Sequence, residues 1–112
     1  MAAANVTNTV LALGAASDLP TNTAIDTTDG LYITAAADQK MLIILEKITS
    51  AGDIVIKAGD ALQGVSDLNV TFSAVGTKVL TVESGKYLIT KGANKGKIHI
   101  TGVGKAACIV LP

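Results

Sequence analysis

The chain has 112 residues, enough for one domain whose core buries roughly two-thirds of the surface that the unfolded chain exposes. Nine lysines balance nine carboxylates and there is no arginine, so the basic field that gathers nucleic acid or anionic membrane is missing, and neither is expected as a partner. Hydrophobic residues make up 49% but aromatics only 3% (Tyr32, Phe72, Tyr87), and Cys108 stands alone, which leaves an aliphatic core and excludes an intrachain disulfide or a thiolate metal site.

The head, Met1-Ala2-Ala3-Ala4-Asn5, carries no charge and nothing to hold it, so a flexible arm is expected over about residues 1–6, free to lie along a neighbouring protein. A short apolar run, Val10 to Leu13, follows, but no Lys precedes Lys40. A secretory signal needs a basic start and a longer apolar stretch, so none is expected here. Nor does any window approach the ~20 apolar residues that span a bilayer.

A first strand is expected within residues 7–13. Residues 15–29 then read as an irregular, Thr-rich loop, long enough in a small domain to be functional or mobile. Strands follow at 30–35 and 41–49. Leu68-Asn69-Val70-Thr71-Phe72-Ser73 alternates apolar with polar, placing Leu68, Val70 and Phe72 on one face, and Asp53-Ile54-Val55-Ile56-Lys57 follows the pattern except that Val55 adds an apolar residue to the outer face. Further strands are expected at 77–83 and 86–91, in Lys97-Ile98-His99-Ile100-Thr101, and at 105–111. Glycine-containing turns separate them and read as consecutive hairpins.

No stretch carries a helical stripe, so the expected fold is all-β, a two-sheet β-sandwich or jelly roll of about nine short strands in a single domain, residues 1–112. Met41 to Leu45 and Ala106 to Leu111 are apolar on both faces. Either they are central strands capped by a loop, or a second subunit covers them.

The motifs that carry chemistry fail on context. His99 sits on the outer face of its strand between Ile98 and Ile100, the ordinary place for a solvated histidine, and no nucleophile or acid pair shares its local frame. Asp53, Asp60 and Asp67, like Asp26 and Asp29, lack the spacing of a calcium loop and read as turn formers. Gly92-Ala93-Asn94-Lys95-Gly96-Lys97 is too short for a P-loop and lacks its Ser or Thr. Gly102-Val103-Gly104-Lys105-Ala106-Ala107 has no room for the helix and strand that a dinucleotide site needs. No catalytic residue, metal or cofactor is expected. Lys91, Lys95 and Lys97 form the one local basic concentration, a solvated face or a loop that meets an acidic patch on a protein partner.

The stretch Gly52-Asp53-Ile54-Val55-Ile56-Lys57-Ala58-Gly59-Asp60-Ala61-Leu62-Gln63-Gly64-Val65-Ser66-Asp67-Leu68-Asn69-Val70 resembles a recurring signature in small structural proteins of tailed bacteriophages. A looser likeness runs through Val82-Glu83-Ser84-Gly85-Lys86-Tyr87 and Gly96-Lys97-Ile98-His99-Ile100-Thr101-Gly102 to Ile109-Val110-Leu111-Pro112. The resemblance implies a non-enzymatic virion protein of the capsid decoration or cement type. Such a protein binds the major capsid protein, stabilises the head, is a homotrimer or other homo-oligomer, and is assembled in the host cytoplasm. A tail or neck protein, or a carbohydrate- or receptor-binding sandwich, is the alternative. The expected partner-binding residues are Ala2, Ala3, Ala4, Asn5 and Val6 of the arm with Lys91, Lys95 and Lys97.

Overall fold

β-Branched residues alternating with small polar ones hold most of the chain in extended backbone. The computed structural model of the chain describes residues 3–37, 40–49, 51–60, 64 and 66–112. Among them lie ten strands and one helical turn: β1 (Ala4–Asn5), β2 (Thr9–Val10), β3 (Thr23–Ala24), β4 (Leu31–Thr34), β5 (Met41–Lys47), β6 (Gly52–Ile56), β7 (Leu68–Phe72), β8 (Gly76–Leu80), α1 (Ser84–Tyr87), β9 (Lys97–Gly102) and β10 (Lys105–Val110). One sheet runs β1-β4-β9-β6-β7. The other runs β2-β10-β5-β8, with β3 beside β2 along the same edge of β10. All pairings are antiparallel except β1 on β4 and β2 on β10. The fold is the expected all-β, two-sheet sandwich.

Its connections differ from consecutive hairpins. Among these strands only β6 and β7 are both adjacent in the chain and paired, while β1, β3, β4, β5, β7, β8 and β9 each hand the chain to the opposite sheet, β9 delivering it to β10. The corner Gly102-Val103-Gly104 shows the reason. Gly102 and Gly104 adopt φ of 127° and 156°, and a Cβ on Gly104 would run into the Glu46 carbonyl of β5. These glycines allow a sheet-to-sheet corner packed tightly on the next strand. At the same corner Lys47, only 5% exposed, donates from Nζ to the Val103 carbonyl at 2.8 Å.

The core lies between the sheets. Leu31 and Ile33 of β4, Ile98 and Ile100 of β9, Ile54 and Ile56 of β6 and Phe72 of β7 face Met41, Ile43 and Leu45 of β5 and Ala106 and Cys108 of β10. Leu68, Val70 and Phe72 pack inward and Asn69 and Thr71 stand in solvent, as the alternation predicts. The two strands apolar on both faces, β5 and β10, are each bonded to strands on both edges. Their outer row is half-buried at Leu42, Ile44 and Ile109 and closed at Ala107.

Three local expectations are corrected. The arm is tied down from Ala4 onward: Ala4 and Val6 amides donate to the Gly30 and Tyr32 carbonyls at 3.1 and 3.0 Å, and Val6 is 8% exposed because its side chain fills the core. The Thr-rich loop contributes β3, and Asn22 Nδ2 donates to Glu46 Oε1 at 2.8 Å. Residues 86–91 do not form a strand. Their backbone is shared among distant partners: Gly59 donates to the Lys86 carbonyl, Ile89 donates to the Lys97 carbonyl, and Gly96 donates back to Ile89. Only Leu88 makes an isolated bridge, to Ile98. Gly59 lies so close to the Leu88 carbonyl that a Cβ has no space there.

Two outcomes follow from this core. Phe72→Ala, removing the only aromatic ring buried between the sheets, is expected to cost ~3–5 kcal/mol in urea unfolding; a loss below ~1 kcal/mol would place the ring at the surface. Burial also pushes the Cys108 thiol up to about 11. Thiol reagents at mildly alkaline pH should therefore label it only after denaturant is added, and rapid labelling of the folded chain would contradict its position.

Candidate functional site

The outward residues of β4 and β9 are set by the same pairing that sets the inward ones. With Leu31 opposite Ile100 and Ile33 opposite Ile98, Tyr32 falls opposite His99 and Thr34 opposite Lys97 on the outer face. β1 adds Asn5 beside Tyr32. Tyr32 and His99 stack with ring centroids 4.5 Å apart and planes 16° from parallel. Lys97 Nζ stands 5.9 Å from the Tyr32 ring centroid and 3.4 Å from Asn5 Oδ1, to which it donates.

The His99 ring is held at its other end by the turn before β4. Asp26 Oδ2 accepts from the amides of Thr28 and Asp29 at 3.1 and 2.7 Å, and Gly30 donates to the Asp26 carbonyl at 2.9 Å. This turn aims the Asp29 carbonyl at His99 Nε2, 2.9 Å away. A carbonyl only accepts, so Nε2 carries a hydrogen and donates it. The ring lies against Gly30, whose φ is 81°; a Cβ there would sit 2.5 Å from Nε2, so glycine serves both the turn and the ring.

These groups border an open concavity of about 570 Å³, completed by Ala3, Thr28 and Asn94. It offers one ammonium, the Asp29 carboxylate, two side-chain amides and the Thr28 hydroxyl around an aromatic pair that itself carries the Tyr32 phenol. The imidazole is engaged with its stack and with a backbone carbonyl, its one side-chain hydrogen bond among the described residues. Nothing in this set is a nucleophile paired with a base. Among the described residues no three of His, Cys, Asp and Glu gather in a way that holds a metal ion. The arrangement is suited to reversible contact with a polar or acidic surface.

Of the expected partner-binding residues, Ala3, Asn5 and Lys97 meet at this concavity. Ala4 is half-buried in β1, and Val6 is removed from the set because it belongs to the core. Ala2 lies outside the described residues. Lys91 and Lys95 are exposed on the 91–96 turn and do not line the concavity, so the three lysines do not act as one patch. The sequence alone does not mark Tyr32, Thr28, Asp29, Asn94 and His99 as binding residues. Alternation marks Tyr32 and His99 as outward-facing, but only the β4–β9 pairing brings them together.

Two further aspartates, Asp60 and Asp67, bind the scaffold. Asp67 accepts from Lys57 Nζ at 2.8 Å and from the Ala58 amide at 2.7 Å, and Asp60 accepts from the Thr90 hydroxyl and amide at 2.6 and 2.7 Å. The turn-forming reading is therefore right for Asp26, and Asp60 and Asp67 serve as tethers between segments. No family model, curated protein or solved structure matches the chain.

Hydrogen bonds from Thr90 hold the Asp60 carboxyl below its usual 3.8, and those from Lys57 and Ala58 do the same for Asp67. A lowered folded-state value stabilises the fold above the unfolded-state value, and that contribution is lost as pH falls through the folded value. An Asp60→Asn, Asp67→Asn double variant should therefore be less stable than the parent at neutral pH and converge with it as pH falls below the usual carboxylate range. Curves that remain parallel through the acid range would show that these contacts do not set the acid limb.

Proposed function

We propose that this chain is a non-enzymatic structural protein of a phage particle, a decoration protein that sits on the head and binds the major capsid protein through the Tyr32–His99 face. The observation that carries the reading is the convergence of Ala3 and Asn5 from the head of the chain with Asn94 and Lys97 from its last third at one open concavity. The rings and the lysine there are already fixed by contacts within the chain, so little order has to be gained on binding. A neutral protein with few aromatic anchors binds weakly per copy, and a symmetric shell multiplies weak contacts.

A glycan- or receptor-binding module is the second reading. What favours it is an aromatic pair bordered by Asn5, Asn94, Thr28 and Asp29, the kinds of side chain that recognise sugar hydroxyls.

The test is co-sedimentation of the purified chain with expanded heads that lack it. Binding is expected, with Tyr32→Ala or Lys97→Glu weakening it about tenfold or more and Lys91→Glu, outside the concavity, leaving it within about twofold. Heads that take up no protein overturn the decoration reading. Uptake by purified tails alone moves the protein to the tail or neck, and binding on a glycan array without uptake by heads establishes the second reading.

A further inference from the structure

The free edges of the two sheets are not alike. Most are shielded in one of the ways that keep sheet proteins from pairing edge to edge. β1, β2 and β3 are two residues long. β8 places Lys78 opposite the inward-facing Leu45, its ammonium 5.5 Å from the Phe72 ring centroid, so a charge guards that edge.

β7 has no such device. Leu68-Asn69-Val70-Thr71-Phe72 contains no charge, proline or glycine and pairs without a bulge to β6, and among the described residues it is bonded on that side only. Asp67, just before it, is occupied by Lys57 and Ala58.

The direction of the unpaired backbone groups follows from the ladder. Lys57 donates to the His99 carbonyl, so in β6 the N–H and C=O groups of Lys57, Val55 and Asp53 point toward β9, and those of Ile54 and Ile56 point toward β7. Ile54 and Ile56 are opposite Val70 and Leu68. The outward N–H and C=O groups of β7 therefore belong to Asn69 and Thr71, two donors and two acceptors in alternation.

We infer that β7 pairs antiparallel with β7 of a second copy across a two-fold axis at Val70, joining the two five-stranded sheets into one. The strand is complementary to itself in that register. Asn69 faces the second copy's Thr71, whose backbone groups match its own in a hydrogen-bonded pair, and Leu68 faces Phe72 on the inner side. Val70 meets its own counterpart in the close, non-hydrogen-bonded position. No like charges are brought opposite one another, whereas the same operation on β8 would place Lys78 against Lys78. This inference does not rest on the capsid reading, because it concerns the opposite end of the sheet from the concavity.

Sedimentation equilibrium of the full chain through the millimolar range is expected to give twice the 11.3 kDa chain mass. Thr71→Pro deletes only an N–H that points away from β6, so it should leave the circular dichroism spectrum intact and return the mass to that of one chain. Val70→Cys should form a reducible cross-linked dimer under mild oxidation, and Thr77→Cys on β8 should not. In hydrogen exchange, the Asn69 and Thr71 amides should gain protection as concentration rises. A single-chain mass throughout, a three-chain mass, or a dimer in which Val70→Cys fails to cross-link overturns the inference. The Val70→Cys result decides the matter even if Thr71→Pro does not fold.

Discussion

The β4–β9 pairing is the constraint from which both the core and the candidate site descend. Leu31 and Ile33 on one strand and Ile98 and Ile100 on the other are between 0% and 1% exposed, so two buried aliphatic side chains on each strand hold its present face inward. Side chains alternate with a period of two, and a slip of either strand by one residue would turn its own outer residues, Tyr32 of β4 or His99 and Lys97 of β9, toward the interior and its aliphatics toward water. Burying an imidazole and an ammonium in an aliphatic core without partners costs several kcal/mol. The geometry of the outer face is in this sense held by the inner one. The Tyr32–His99 stack adds to a register that packing has already chosen.

The same logic separates what was legible in the sequence from what was not. Strict alternation in Leu68-Asn69-Val70-Thr71-Phe72 and Lys97-Ile98-His99-Ile100 identified β7 and β9 and their faces, because each strand's pattern is complete in itself. The strand order was hidden. Turn residues such as Gly102-Val103-Gly104 read as hairpin signals, and only the Glu46 carbonyl, more than fifty residues away, reveals that the chain is turning into the other sheet. Residues 86–91 failed for a related reason: their β-forming composition is overridden by Gly59 and Asp60, which take up the Lys86 and Thr90 backbone groups. At the head of the chain, three alanines and an asparagine carry no periodic signal, yet Val6 finds a place in the core and draws Ala4 and Asn5 onto β4.

The segment read from the sequence as phage-like, residues 52–70, carries β6 and the start of β7, and several of its described polar residues have scaffold tasks. Lys57 and Asp67 bind each other across the base of the hairpin. Gly59 admits the Leu88 carbonyl, and Asp60 anchors Thr90. A pattern of this kind records how a hairpin is fastened to its neighbours. The stretches read from the sequence as phage-like take in Lys97 and His99 of the outer face, at residues 96–102, but not Asn5, Tyr32 or Asn94, so they cover only part of the face that would meet a partner. Role in this chain has to be argued from the β1–β4–β9 face, where the chemistry is presented.

The positions of that face and of β7 within one sheet have a consequence for how weak contacts combine. In the order β1-β4-β9-β6-β7 the concavity covers the first three strands and the unguarded edge is the last. A two-fold axis that joins antiparallel edge strands stands perpendicular to the sheet, so it leaves the outer faces of both copies on the same side. The two concavities of such a pair would open in one direction from opposite ends of a continuous sheet. A flat repetitive surface could then be engaged at both ends, and the second contact would form at the high effective concentration set by a rigid span instead of a flexible linker. In the proposed decoration role, that geometry would let a neutral chain with a single ammonium at its site hold a lattice through contacts that are each weak.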